Sequence, residues 1–114
     1  PNGNNINQDC GALEQNKLSE MTLRYNSDIG ISFDGDADRV IICDNKGKII
    51  DGDYILAIIA YRLKKDQNKN ISIVSTKMSN LSFRKYIENI NIKLSLSDVG
   101  DRYVVEKMKN TNSF

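Results

Sequence analysis

The chain contains no histidine. Catalysis by a Ser-His-Asp or Cys-His arrangement, and zinc held by imidazole, are therefore excluded within these residues. Cysteine is scarce as well: Cys10 and Cys43 stand apart, with no metal-type spacing. Two such thiols do not make a disulfide framework, and reduced thiols of the cytoplasm are the expectation. Net charge is nearly missing, at +1 from 16 basic and 15 acidic residues, so nothing calls for nucleic acid or an anionic membrane as partner. Long apolar runs are lacking too. The longest, Tyr54 to Tyr61, falls far short of the ~20 residues that cross a bilayer. The opening Pro-Asn-Gly-Asn-Asn has none of the basic-then-apolar order of a secretory signal, and the missing initial Met reads as a piece cut from something longer.

What is present is the composition of a folded α/β chain. Hydrophobic residues make up 39% and charged residues 27%, which places the chain among globular proteins rather than disordered ones. Its 114 residues would fill one domain on size alone.

The stretch with the most chemical content is Ile29-Gly30-Ile31-Ser32-Phe33-Asp34-Gly35-Asp36-Ala37-Asp38-Arg39-Val40-Ile41-Ile42. Ile29, Ile31 and Phe33 alternate with small residues, predicting a strand with one packed face. Val40 to Cys43 is continuously apolar and predicts a second, more deeply buried strand. Between them, Asp34, Asp36 and Asp38 sit at alternate positions. Two unit charges about 4 Å apart repel by roughly 4 kcal/mol at an effective dielectric of about 20. A folded loop holding three carboxylates therefore calls for a compensating cation, and hard divalent ions prefer oxygen ligands. A lone Asp-Gly is usually a solvated turn. The flanking strands, the third Asp and Arg39 favour a metal loop instead. An EF-hand shares the first three ligand positions but fails later, with Arg39 where Gly is needed and Asn45 where Glu is needed.

In chain order, residues 1 to 14 carry no helical or strand period and read as loop. Leu18, Met21, Thr22 and Tyr25 fall at i, i+3, i+4 and i+7, predicting a helix over about 15–26. Asn45-Lys46-Gly47-Lys48 is a turn signal, and Ile49-Ile50 resumes a strand to close a hairpin. Asp53 sits where a helix N-cap belongs, ahead of the apolar block Tyr54 to Leu63, which predicts a buried helix. A polar connector at 67–70 follows. Ile71 to Ser75 reads as a strand, and Ser79 as the N-cap of a helix bearing Phe83, Tyr86, Ile87 and Ile90. Ile92, Leu94 and Leu96 alternate with polar residues in another strand. A loop at 98–102 leads to a helix over about 102–109. Helix, strand, helix, strand, helix is the order of an α/β sheet with crossover helices. A domain boundary is expected near 50–53.

These residues together resemble the α-D-phosphohexomutase superfamily, whose metal loop reads Asp-Gly-Asp-(Gly/Ala)-Asp-Arg. Within it the chain is most similar to the bacterial phosphoglucosamine mutases. The similarity extends to Asn5-Ile6-Asn7, Cys10-Gly11-Ala12, Asp51-Gly52-Asp53, Met78-Ser79-Asn80 and Val99-Gly100-Asp101-Arg102-Tyr103-Val104, in order along the chain. The resemblance implies an α/β fold made of parts of two consecutive α/β/α phosphohexomutase-type domains with mixed sheets. Residues 1–50 would be the C-terminal part of domain 2 and 51–114 the N-terminal part of domain 3.

The activity implied is interconversion of glucosamine 6-phosphate and glucosamine 1-phosphate through a bisphosphorylated sugar. Asp34, Asp36 and Asp38 would hold Mg²⁺. Arg39 would reach the phosphoryl group or else pair with the Asp cluster, since a guanidinium serves both. Lys77, Asp101 and Arg102 are candidates for substrate binding, at strand ends where α/β sheets take ligands. Against that stand a solvated Lys77, a capping Asp101 and a solvated Arg102. The implied partners are a phosphosugar and the remaining domains of a parent enzyme. The serine loop Thr-(Ala/Ser)-Ser-His-Asn, the sugar loop Glu-x-Ser-Gly-His and the phosphate loop Arg-x-Ser-Gly-Thr are not in this sequence, so the chain alone is expected to be inactive. Two alternatives remain: a haloacid-dehalogenase-like phosphatase with Asp34 as nucleophile, and a non-catalytic fragment of a truncated or split gene.

Overall fold

The computed structural model describes residues 2–67 and 71–114. From residue 68 onward, the connector expected at 67–70 lies outside them. The chain divides into two compact units, Pro1–Gly52 and Asp53–Phe114.

The first unit holds helix α1 (Gln15–Arg24) and strands β1 (Ile29–Phe33), β2 (Val40–Asp44) and β3 (Ile49–Ile50). The strands form one antiparallel sheet in the order β1-β2-β3. Phe33 pairs with Val40 and Ile31 with Ile42, so the acidic stretch 34–39 is the connection of a β-hairpin. The β2–β3 turn forms as its sequence predicts. The Asp44 carboxylate accepts the Lys46 and Lys48 amides, each at 2.9 Å. Helix α1 ends at Arg24, short of the expected 26, and Asn26 takes positive φ.

The packed face of β1 is the opposite of the one expected. Gly30 is buried, whereas Ile29, Ile31 and Phe33 are all about half exposed. The reason is close approach of α1 on the Gly30 side. A Cβ at Gly30 would stand 2.0 Å from Thr22 Oγ1 and 2.8 Å from Cys43 Sγ. Thr22 and Cys43 are themselves buried, their side chains 2.9 Å apart, and the Thr22 hydroxyl donates to the Leu18 carbonyl. The small residues thus make room for the helix, and the large ones face away from it.

The second unit holds α2 (Gly52–Gln67, its first residue being the last of the first unit), β4 (Ser72–Thr76), α3 (Leu81–Asn89), β5 (Lys93–Ser97) and α4 (Asp101–Thr111). Strands β4 and β5 are parallel neighbours joined through α3. Ala60, Ile71, Ile73, Phe83, Ile87 and Ile92 form the core, with Leu56, Leu63 and Leu94 packed against it. The spacing of Phe83 and Ile87 puts both on the inner face of α3, and Ile87 is fully buried. Burying such a side chain stabilises by about 1.5–3 kcal/mol. Helix α2 is not the buried helix its composition suggested. Among the residues of α2 whose burial is described, only Ala60 is fully enclosed, while Tyr54, Ile58 and Tyr61 stay exposed. Phe114 lies along β4, donating to the Ser72 carbonyl at 2.9 Å and accepting from the Val74 amide at 2.7 Å.

Three capping expectations need correction. Asp53 lies inside α2, and its carboxylate accepts the Asn80 amide at 2.7 Å. The N-cap of α3 is Asn80 rather than Ser79, with Asn80 Oδ1 accepting from the Phe83 amide at 2.7 Å. The N-cap position of α4 is Gly100, so Asp101 occupies the first turn and does not cap it. A carboxylate there still suits the positive end of the helix dipole.

Candidate metal centre

The hairpin geometry gathers the three carboxylates at one turn. The Ala37 amide donates to the Asp34 carbonyl at 3.1 Å, and Ala37 takes φ 60, which curls the chain back. One ligand oxygen each from Asp34, Asp36 and Asp38 then lies within 4.8 Å of the others. Asp34 is buried, and the other two are exposed. Arg39 anchors the buried one. Its backbone N–H donates to Asp34 Oδ1 at 2.9 Å and its Nε to Asp34 Oδ2 at 2.8 Å. Arg39 Nε also lies 3.5 Å from Asp38 Oδ1. Between its two expected roles, Arg39 here pairs with the Asp cluster.

The electrostatics follow from this arrangement. The Arg39 backbone N–H, with smaller help from Asp38 and the guanidinium, lowers the Asp34 carboxyl to about 2. Asp38 moves the other way. Its hydrogen bond with Asp34, then desolvation and the negative charges of Asp34 and Asp36, hold its proton more tightly than usual. Arg39 is raised, chiefly by its bond to Asp34. Three carboxylates against one guanidinium leave two negative charges in excess.

A hard divalent cation fits this donor set. An octahedral shell at about 2.1 Å puts neighbouring ligand oxygens about 3.0 Å apart and opposite ones about 4.2 Å apart. The three ligand oxygens lie within 4.8 Å of one another, close to that range. Each Asp34 oxygen that accepts an N–H keeps a second lone pair for a metal. Asp34, Asn7, Cys10, Glu14 and Arg39 also line a cavity of ≈ 70 Å³.

In the second unit, the candidate residues lie at the C-terminal ends of β4 and β5. Lys77 Nζ pairs with Asp98 Oδ1 at 2.7 Å, an exposed ion pair that lowers the Asp98 carboxyl. Asp101 and Arg102 open α4. Sequence reasoning missed Arg84, whose guanidinium donates to the Ser79 carbonyl at 3.1 Å and to the Lys77 carbonyl. Together with Asp53 and Asn80 it pins the β4–α3 loop. Adjacent Ser79 and Asn80 were the available signal for a cap, but choosing between them needs the Asp53 contact.

An α/β chain with an oxygen-lined acidic hairpin loop defines a class, not yet a family. Residues 51–114 match the family described as phosphoglucomutase/phosphomannomutase, alpha/beta/alpha domain III. The chain belongs to this phosphohexomutase superfamily. It is 50% identical over 112 residues to the phosphoglucosamine mutase of Pelagibacter ubique, covering 98% of this chain and 25% of that protein. With the phosphoglucosamine mutase of Brevibacillus brevis it shares 51% over 109 residues, 95% of this chain and 24% of that protein. For Staphylococcus haemolyticus the figures are 50% over 113 residues, 98% and 25%. The chain thus spans about a quarter of the length of the curated relatives it matches. The match does not favour the dehalogenase-like alternative. No helix among the described residues is long and apolar enough to cross a membrane.

Proposed function

We propose that this chain supplies the Mg²⁺-holding loop, and the start of the following domain, to a phosphoglucosamine mutase-type enzyme of the cytoplasm. The observation that carries the proposal is the convergence of Asp34, Asp36 and Asp38 within 4.8 Å, braced by Arg39. Family resemblance to the phosphoglucosamine mutases supports the substrate, a glucosamine phosphate. On this reading residues 1–50 close the second domain and 51–114 begin the third.

Bound Mg²⁺ supplies charge neutralisation at a phosphoryl group in flight. The chain's own residues hold and orient. Asp34, kept ionised by Arg39, is the fixed ligand, and exposed Asp36 and Asp38 are free to close on an ion. Arg39 keeps Nη donors beyond its Nε contact, and these can meet a phosphoryl oxygen. Lys77, Asp101 and Arg102, near the strand ends where α/β sheets take ligands, would meet the substrate. The phosphoserine and the two substrate-binding loops come from the rest of the parent protein, so the isolated chain carries no mutase activity.

Titration of the 114-residue chain with Mn²⁺, followed by amide line broadening, tests the metal assignment. Broadening is expected to centre on 34–38. Broadening centred on 51–53 or 98–101 that spares 34–38 overturns it. Turnover of glucosamine 1-phosphate with a trace of bisphosphate by the purified chain would overturn the inactivity.

A further inference from the structure

The segment ahead of α1 folds back onto the acidic loop and touches it at Gly35, the residue between Asp34 and Asp36. A Cβ added at Gly35 would stand 2.5 Å from Ile6 Cγ2 and 3.3 Å from Asn7 Nδ2. The other side of the Asn7 carboxamide meets a second glycine. A Cβ at Gly11 would stand 2.6 Å from Asn7 Oδ1 and 3.5 Å from the Phe33 carbonyl oxygen, where β1 ends. Asn7 adopts φ 61, a left-handed conformation that Asn tolerates better than most residues. Its side chain is therefore wedged between Gly11 and Gly35, and it lines the same ≈ 70 Å³ cavity as Asp34 and Arg39.

We propose that Ile6 and Asn7 are positioning residues that brace the 34–38 loop and so set its affinity for a divalent cation. The inference rests on the metal reading above and adds the residues that govern its strength. The physical reason is preorganisation. Three carboxylates tend to spread, and a metal shell needs their oxygens held about 3.0–4.2 Å apart. A wall against Gly35 limits the spreading of Asp34 from Asp36, so less ordering remains to be done when the ion binds. Neither Ile6 nor Asn7 offers a carboxylate. Their effect passes through the loop backbone, as supporting contacts around a metal site do, typically worth 10–100-fold in affinity.

The test measures Mn²⁺ affinity of the 114-residue chain by electron paramagnetic resonance, beside the amide spectrum of each variant. Asn7→Gly keeps the left-handed backbone and removes the wedge. It should weaken Mn²⁺ binding about 10-fold while the β1 and β2 amide signals stay in place. Gly35→Ala drives a methyl group into Ile6 Cγ2 and should weaken binding by a similar factor. Ile6→Ala combined with Gly35→Ala restores the space and should recover most of the loss, an outcome that general unfolding would not give. Should Gly35→Ala fail to fold, Asn7→Gly and the double variant still decide. Wild-type chain that binds no Mn²⁺ at 34–38 overturns the metal reading and this inference together. Wild-type binding matched within about 2-fold by Asn7→Gly overturns the bracing alone.

Discussion

The hairpin loop at 34–39 and the β4–α3 loop at 77–80 are both rich in polar groups, yet they are balanced in opposite ways. In the second, each interaction closes on itself. Lys77 meets Asp98 one to one, Arg84 spends its donors on backbone carbonyls, and Asp53 and Asn80 satisfy amide groups. In the first, a single guanidinium serves Asp34 and Asp38, and no cation lies within ion-pair distance of Asp36 among the described residues. A loop with its charges matched is built to hold a backbone. On the proposed reading, a loop with unmatched charge of one sign, clustered at one point, would receive a cation.

The largest effect should come from the one acidic residue that is both buried and bonded. Asp34→Asn retains the shape and removes the charge that Arg39 faces. Mn²⁺ affinity should fall by more than about 100-fold, beyond the range seen for supporting residues. The β4 and β5 amide signals should not move. If Asp34→Asn binds Mn²⁺ as the wild type does, the acidic loop is only a charged turn and the contrast with the second loop dissolves.

Next in size is the pH dependence of that loop. The Asp34 carboxyl is lowered to about 2, so its stabilising contribution is present above its unfolded value of 3.8 and is lost as pH falls through about 2. Asp38 runs the other way. Its raised carboxyl favours the fold below the ordinary value, and this contribution is lost as pH rises through the raised one. A divalent ion reverses that penalty. The thermal shift produced by Mg²⁺ should therefore grow as pH rises through the Asp38 titration and level off above it. In Asp38→Asn the shift should be smaller and flat over the same window. A wild-type shift that does not change with pH would remove Asp38 from the ligand set.

The second loop offers a smaller, local effect. Asn80→Ala removes the side-chain cap of α3 and should cost about 1 kcal/mol, within the 0.5–2 kcal/mol range for such caps. Hydrogen exchange should speed at the Phe83 amide first, since it loses its acceptor. Metal affinity at 34–38 should not change. A loss much larger than the cap range would mean that Asn80 organises more of the unit than its own helix.

These contrasts were only partly legible in the residue order. The β1–loop–β2 hairpin, the Asn45–Lys48 turn and the β4–α3–β5 succession follow from alternation, turn residues and helical spacing, which are local properties. The inner face of α3 was legible for the same reason, through Phe83 and Ile87. What failed was whatever depended on a neighbour from elsewhere in the chain. Alternation in β1 shows that two faces differ, but only α1, resting on Gly30, decides which face is covered. The choice between Ser79 and Asn80 as cap, and the position of Asp53 within α2, likewise turn on a hydrogen bond 27 residues apart in sequence. At the candidate site, the three Asp residues stand out in the sequence because their spacing is local. The grip of Arg39 on Asp34 needed the folded hairpin, and Asn5-Ile6-Asn7 stood out only through the family resemblance, its contact with Gly35 being visible only in the fold.

The smallest effect concerns Lys77, and it tests whether the matched loop is purely structural. The Lys77–Asp98 pair is exposed on both sides, at 66% and 67%, so solvent and salt screen it. Lys77→Met should leave the melting temperature nearly unchanged. The visible consequence is at Asp98, whose carboxyl is held low by the Lys77 ammonium and should return towards 3.8 in the variant. Because that carboxyl is lowered on folding, the pair contributes above the ordinary value and is lost as pH falls through the folded one. If Lys77 also serves a phosphosugar, inorganic phosphate should compete for its ammonium and raise the Asp98 titration in the wild-type chain, while an equal ionic strength of chloride raises it less. The same phosphate should not move Asp98 in Lys77→Met. Equal shifts with phosphate and chloride would leave Lys77 as a surface ion pair and take it out of the substrate-facing set.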